Sequence, residues 1–374
     1  VKNSFSIFDK IGVFFHLYFP RLVEKEVSIE DPGVVLFTSG TEGTPKGVVL
    51  SHRAITSNIA QVRAVFDFCA EDSVFNPLPI FHSFGLTGGA LLPLFSGLHQ
   101  LLFPSPLRYK EIPELVYQRN CTILFGTSTF LANYAKHADP YDFFRLRYVI
   151  AGAEKLSDAV RNLWFEKFGK RIFEGYGATE TAPVLAVNTQ MASRSGTVGQ
   201  FLPGIEYRLV PVPGIPDGGA LYVRGPNVMS GYYRFENPGQ LEPTTSDEFG
   251  EGWYATGDVV KIEDGFVSIV DRVKRFAKIG SEMVSLSVVE KMAELAASKY
   301  MHGVTTQPDA MKGEAIVLFT TDGSLTRDML ITQARVLGAP EIAIPRKIVF
   351  VHAIPLLGTG KTDHVTLKKM ARDV

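Results

Sequence analysis

The stretch Thr38-Ser39-Gly40-Thr41-Glu42-Gly43-Thr44-Pro45-Lys46-Gly47 decides how the rest of this 374-residue sequence is read. Its glycines let a backbone turn tightly and come close to a polyanion, where a Cβ would stand in the way. The hydroxyls of Thr38, Ser39, Thr41 and Thr44 and the backbone N–H groups can donate to phosphate oxygens, and Lys46 adds a positive charge. The apolar run Val34-Val35-Leu36-Phe37 predicts a buried strand that ends in this loop, which is where an α/β sheet offers a ligand site. Gly, Ser and Thr content alone describes a polar surface turn equally well, so what stands downstream carries the weight.

A P-loop reading fails. That loop needs the spacing G-x-x-x-x-G-K-[ST], and the near match ending in Gly360-Lys361-Thr362 has Pro355 where its first glycine belongs.

Working outward, 45% of the residues are hydrophobic and 21% charged, a globular composition that excludes intrinsic disorder. With 38 Lys+Arg against 39 Asp+Glu the net charge is -1, which argues against a broad basic field for nucleic acid and gives no polybasic membrane clamp. Cys69 and Cys121 are the only cysteines, so there is no disulfide framework and a reducing compartment is expected. Residues 73–107 contain no Asp, Glu, Lys or Arg, but prolines and glycines interrupt them, so a buried helix and strand with their loops is expected rather than a membrane span. The opening Val-Lys-Asn-Ser carries neither an initiator methionine nor a signal-peptide pattern, and the sequence is expected to begin inside a longer protein.

Ser51 predicts the cap of a helix through Ile55, Ile59 and Val62. Strand-like runs at 122–125, 148–151 and 171–174, with a helical pattern over 158–168, predict a layered α/β body. Beyond about residue 190, Gly and Pro become dense between short strands, which predicts a β-rich part. The charged junction Asp271-Arg272-Val273-Lys274-Arg275 precedes an alternation of helix and strand. The expected organisation is residues 1–190 as the α/β part of a large domain, 191–271 as its β-rich subdomain, and 272–374 as a small α+β C-terminal domain.

Other segments complete the pattern: Pro77-Leu78-Pro79-Ile80-Phe81-His82-Ser83-Phe84-Gly85, Ala151-Gly152-Ala153-Glu154, Gly175-Tyr176-Gly177-Ala178-Thr179-Glu180, Tyr254-Ala255-Thr256-Gly257-Asp258, Asp271-Arg272-Val273-Lys274 and Leu356-Leu357-Gly358-Thr359-Gly360-Lys361. Each is weak alone. In this order they resemble the adenylate-forming superfamily, which includes acyl-CoA synthetases, peptide-synthetase adenylation domains and luciferases. The resemblance implies that fold, with its large domain truncated at the N-terminal side. It also implies ATP and Mg²⁺. Thr38, Ser39, Gly40, Thr41, Gly43, Thr44 and Lys46 would hold phosphates. Gly152, Ala153 and Glu154 would lie on one side of adenine, with Tyr176 and Gly177 on the other. Thr179 would contact the α-phosphate, and Glu180 would ligate Mg²⁺, a cation that binds through one or two carboxylates plus phosphates. Asp258 would accept the ribose hydroxyls, and Arg272 would reach ribose or phosphate. His82 would sit near the acyl carboxylate, although a satisfied core histidine has the same local sequence. Lys361 would be the catalytic lysine, and Lys274 the pivot about which the small domain rotates.

The segments 121–131, 145–156 and 274–286 are more narrowly similar to the bacterial bifunctional family that joins an acyl-[acyl carrier protein] synthetase to a 2-acylglycerophosphoethanolamine acyltransferase. That likeness implies a long-chain fatty acid substrate and an acyl carrier protein acceptor. It also implies an acyltransferase domain elsewhere in the polypeptide and a place on the cytoplasmic side of the bacterial inner membrane. Lys274, Arg275, Lys278, Lys368 and Lys369 are candidate docking residues for an acidic carrier protein, or simply a solvated face. The acyltransferase spacing H-x-x-x-x-D occurs once, from His137 to Asp142, and is expected to be structural. A fatty acyl-CoA ligase and a non-catalytic nucleotide-binding fragment remain as alternatives. Excess of Phe over Tyr, 27 to 13, suits an alkyl tunnel and a plain core alike.

Overall fold

The computed structural model describes residues 6–18, 26–39, 45–212, 215–280, 282–309, 311, 313–356 and 362–373. Gly40, Thr41, Gly43, Thr44 and Lys361 lie outside the described residues, as do the side chains of Ser39 and Lys274.

An 11-stranded sheet runs through the large body. At one end His99–Leu102, Ser73–Asn76, Ile123–Gly126, Tyr148–Ala151 and Ile172–Gly177 lie side by side in parallel. Ile123–Gly126 and Tyr148–Ala151 are buried throughout, as strands covered on both faces by crossover helices must be. One of those helices, Asp158–Phe168, starts where the Ser157 hydroxyl accepts from Val160 N and stops at left-handed Gly169. It buries Trp164 completely, with the indole N–H donating to Leu131 O at 2.9 Å and the ring stacked on Phe143.

From Ile172–Gly177 onward the sheet turns antiparallel, through Val184–Val187, Gln200–Phe201, Phe266–Arg272, Tyr254–Glu263, Ile215–Arg224 and Glu206–Val212. The helix His52–Arg63 ties the two halves together. Ser51 caps it as expected, and its buried Asn58 exchanges bonds with Val184 (Nδ2 to O 2.7 Å, N to Oδ1 3.0 Å) while Gln61 donates to Pro203 O at 2.8 Å. Buried amides satisfied this way fix where the segment before Val184 must lie.

The phosphate segment departs from expectation. The strand before it forms, as Pro32–Ser39, but it is not buried and not in the parallel sheet. It pairs antiparallel with Pro45–Ser51, Thr38 opposite Lys46 and Ser39 opposite Pro45, in a separate four-stranded sheet with Gly231–Tyr233 and Leu241–Pro243. Leu36 is 7% exposed and Phe37 74%, so the strand has one inner and one outer face. Its residues are apolar on both faces, and an unbroken apolar run carries no periodicity that separates the two cases.

The uncharged stretch folds as the strand Ser73–Asn76, a π-helix Phe84–Leu91, the short helix Leu92–Ser96 and the strand His99–Leu102. No helix among the described residues is long and apolar enough to cross a membrane.

Beyond the large sheet, Glu282–Ser285, Phe276–Ile279, Gly313–Thr320 and His302–Asp309 form a further sheet, with Lys347–Phe350 added in parallel. Helices Leu286–Ala296 and Arg327–Leu337 cover it around a buried cluster of its own that includes Val289, Met292, Leu318 and Leu330. At the junction, buried Asp271 accepts from the hydroxyls of Ser285 and Ser287, the latter at 2.7 Å.

Candidate active site

Several of the expected residues that are described gather where the last parallel strand, Ile172–Gly177, leaves the sheet. Gly177 ends it, and a Cβ there would fall 1.8 Å from Pro183 O, so only glycine fits. The chain then makes a single helical turn, Thr179–Thr181, held by Asn227 Nδ2 donating to Thr181 O at 2.7 Å and Met229 N to Glu180 O at 2.8 Å. Ala182, just after it, is in the left-handed region at φ 63°, a strained position for a residue with a Cβ.

At one end of the site, Tyr176 donates its hydroxyl to Asp258 Oδ2 at 2.7 Å, and Arg272 Nε donates to Asp258 Oδ1 at 3.0 Å. Asp258 and Arg272 are register partners on adjacent antiparallel strands. Asp258 is only 6% exposed, and each of its oxygens keeps a lone pair for a further donor. Burial first, and then the Asp258 carboxylate, push the Tyr176 hydroxyl well above its ordinary range, so it stays a donor.

At the other end, Tyr232 donates to Glu180 Oε1 at 2.9 Å, and Lys46 Nζ lies 5.3 Å from the centre of the Tyr232 ring. Thr179 Oγ1 lies 3.4 Å from Ser83 Oγ, which places His82, one residue earlier, beside the same turn. His82 is exposed, its ring 5.2 Å from that of Phe81 and its backbone N–H donating to Pro79 O at 3.1 Å.

Along the parallel strand ends, Gly152 packs under the Phe84 ring, and Ala153 is left-handed at φ 69°. Glu154 turns away to the helix Ser128–His137, accepting from Thr129 N and, at 3.1 Å, from Thr129 Oγ1. A carboxylate at that helix start is favourable by charge as well as by hydrogen bonding.

The structure therefore brings together Tyr176, Asp258 and Arg272 in one group and Lys46, Glu180, Thr179 and Ser83 in another. Sequence reasoning missed Tyr232 and Ser83. Ser83 stood inside a quoted motif. Tyr232 carries no local signal, because it reaches Glu180 only through the four-stranded sheet. One basic docking candidate is already engaged: Arg275 pairs with Glu290 at 2.6 Å, both about one-fifth exposed. His137 and Asp142 also serve locally, His137 Nδ1 with Asn133 O at 2.9 Å and Asp142 Oδ2 with Asp139 N at 2.7 Å.

This geometry coincides with what comparison finds. A model of the AMP-binding enzyme family matches residues 9–233. The chain belongs to that family. The long-chain-fatty-acid–CoA ligase of Yersinia pestis is 32% identical over 358 residues, covering 91% of this chain and 62% of the relative. The enzyme of that name in Salmonella typhimurium is 32% identical over 377 residues, covering 96% and 65%. The chain thus spans less than two thirds of the length of these relatives. Among solved structures, ATP-bound MatB from Rhodopseudomonas palustris superposes with a TM-score of 0.80 at 26% identity, covering 93% of this chain and 70% of that one. The O-succinylbenzoate coenzyme A synthetase of Bacillus subtilis, solved with ATP and a magnesium ion, shares the fold with a TM-score of 0.77 at 22% identity. The family's adenylate-forming α/β fold is the one expected from the order of the motifs. The two ligases carry coenzyme A in their names, not the carrier-protein acceptor that the sequence reading expected.

The donor set fits a magnesium ion. Glu180 presents a carboxylate steadied through one oxygen by Tyr232. Among the described residues no group of three or more His, Cys, Asp or Glu gathers. One carboxylate completed by phosphate oxygens and water is how Mg²⁺ is commonly held.

Proposed function

We propose that the protein activates a long-chain fatty acid with ATP and passes the acyl group to the thiol of coenzyme A. The observation that carries this reading is that the Tyr176–Asp258–Arg272 and Lys46–Glu180–Thr179 groups stand at the two ends of one family fold, in a chain about a third identical to fatty acid–CoA ligases.

In the first step a fatty carboxylate oxygen bonds to the α-phosphorus of ATP. The bond from that phosphorus to the bridging oxygen breaks, and pyrophosphate takes the electron pair. Two anions must meet, so the obstacle is repulsion, and fixed positive charge on both sides lowers it. Lys46 answers the leaving phosphates and Lys361 the attacking side, while Thr179 donates to the α-phosphate. Asp258 and Tyr176 hold ribose and adenine so that the phosphorus is in reach. Glu180 would hold Mg²⁺, which would supply further charge neutralisation to the phosphates. No side chain acts as a nucleophile. In the second step the thiol sulfur attacks the acyl carbon, the thiol loses its proton, and AMP leaves.

We assign residues 1–190 and 191–271 to one large domain and 272–374 to a small one that turns about Lys274 between the steps, so that Lys361 serves only the first. Fatty-acid-dependent ATP–pyrophosphate exchange, followed by thioester formation on coenzyme A and on acyl carrier protein in parallel, tests the reading. Exchange together with a coenzyme A thioester supports it. Thioester on the carrier protein alone restores the carrier-protein reading, and no exchange leaves a nucleotide-binding fragment.

A further inference from the structure

The most informative contact outside the expected site residues is made by Tyr232. It stands on the strand Gly231–Tyr233, which pairs antiparallel with Pro45–Ser51, Tyr232 opposite Val48. Side chains two apart on a strand share a face, so Lys46 and Val48 point to the side on which Tyr232 lies. The strand cannot drift: a Cβ on Gly231 would fall 2.0 Å from Glu242 O, and Ser230 N donates to Val49 O at 2.9 Å. The Glu180 turn is fastened to the same segment through Met229 N and Asn227 Nδ2. The phenol thus reaches from one sheet to the turn that ends a strand of the other. Its hydroxyl lies 2.9 Å from Glu180 Oε1 and its ring centre 5.3 Å from Lys46 Nζ, with the Arg234 guanidinium 5.6 Å from the same ring.

We infer that Tyr232 is a positioning residue that couples the metal carboxylate Glu180 to the phosphate lysine Lys46. The inference rests on the reading of Glu180 and Lys46 given above. The two couplings are chemically separate. The hydroxyl occupies one oxygen of Glu180 and leaves the other turned to a cation, which fixes the carboxylate's rotation, as partners behind metal ligands do. The ring face attracts the Lys46 ammonium and holds a long, mobile side chain near the phosphates.

Because the two parts are separable, two variants separate them. Tyr232→Phe keeps the ring and removes the hydroxyl, and Tyr232→Leu removes both. The readout is equilibrium binding to the intact protein without fatty acid, so no turnover is involved: Mn²⁺ by electron paramagnetic resonance in the presence of ATP, and ATP by calorimetry without and with saturating Mg²⁺. Tyr232→Phe should weaken Mn²⁺ binding about tenfold or more, and leave metal-free ATP affinity unchanged. Tyr232→Leu should show the same metal loss and, in addition, lose about twofold to fivefold in metal-free ATP affinity. Tyr232→Phe binding Mn²⁺ like the wild type overturns the metal coupling, and equal metal-free ATP affinity in Phe and Leu variants overturns the lysine coupling. A wild type that binds no Mn²⁺ with ATP overturns the underlying assignment of Glu180 as well. Circular dichroism melting separates misfolding from either effect, and a Tyr232→Leu chain that does not fold leaves the Phe variant to decide the metal coupling.

Discussion

The two ends of the site are built on different principles. At the ribose end, Tyr176, Asp258 and Arg272 all stand on strands of one 11-stranded sheet, and Asp258 faces Arg272 as a register partner. At the phosphate end, Lys46 and Tyr232 come from a four-stranded sheet and Glu180 from a turn that follows a strand of the large one. Backbone pairing sets Asp258 beside Arg272 at the first end, and the Tyr176 hydroxyl joins them from a strand of the same sheet. The second depends on side chains that cross between sheets, and a single phenol carries the crossing. The ribose end should therefore tolerate loss of one hydroxyl well, while the phosphate end should be sensitive to single atoms.

The largest expected effect belongs to a residue of neither end. Lys361→Ala should lower fatty-acid-dependent ATP–pyrophosphate exchange about a hundredfold to a thousandfold, since it removes charge at the reacting phosphorus. It should leave ATP affinity and the thiolysis of supplied acyl-adenylate nearly intact. Equal loss in both half-reactions would remove the basis for a rotating small domain.

Next comes Asp258→Ala, which strips the acceptor shared by Tyr176 and Arg272. ATP affinity by calorimetry should fall about tenfold to a hundredfold, the scale of hydrogen bonds to a charged group. Tyr176→Phe, which removes only one donor to that carboxylate, should cost about twofold to tenfold. A Tyr176→Phe loss as large as that of Asp258→Ala would mean that the ribose end, too, hangs on a single side chain.

The smallest effect is one of pH. Loss of hydration, then the Arg275 and Arg272 guanidinium groups, hold the His364 imidazole at about 4 although its side chain reaches solvent, with Asp363 opposing them. The unfolded chain takes up that proton near 6.5, so between 6.5 and about 4 it binds more protons than the folded chain. Stability from neutral His364 is present above that window and lost as pH falls through it. Urea midpoints at neutral and acidic pH should show a shallower decline for His364→Asn than for the wild type. Identical declines would exclude the histidine as their source.

The legibility of the molecule followed the same division. Features that depend on near neighbours could be read: the Ser51 cap, the helix Asp158–Phe168, the strand Tyr148–Ala151, and the motif Gly175–Glu180 with its glycine-only turn. The sheet that carries the phosphate segment could not. Within Pro32–Ser39 the run 34–37 is apolar without a break, so nothing local told a buried parallel strand from one arm of a hairpin with an exposed Phe37. Tyr232 was invisible for a related reason, since its partner is 52 residues away and the contact exists only once two sheets are in place. Likewise, Arg275 looked like surface charge because its pairing with Glu290 requires the helix Leu286–Ala296 to fold back on the junction.

The central claim is fatty acid activation, and ATP–pyrophosphate exchange by the intact protein, measured with and without a long-chain fatty acid, tests it most directly. Exchange that appears only with the fatty acid, requires Mg²⁺, and continues to a coenzyme A thioester when the thiol is added is the predicted result. ATP binding without exchange for any fatty acid would contradict the account.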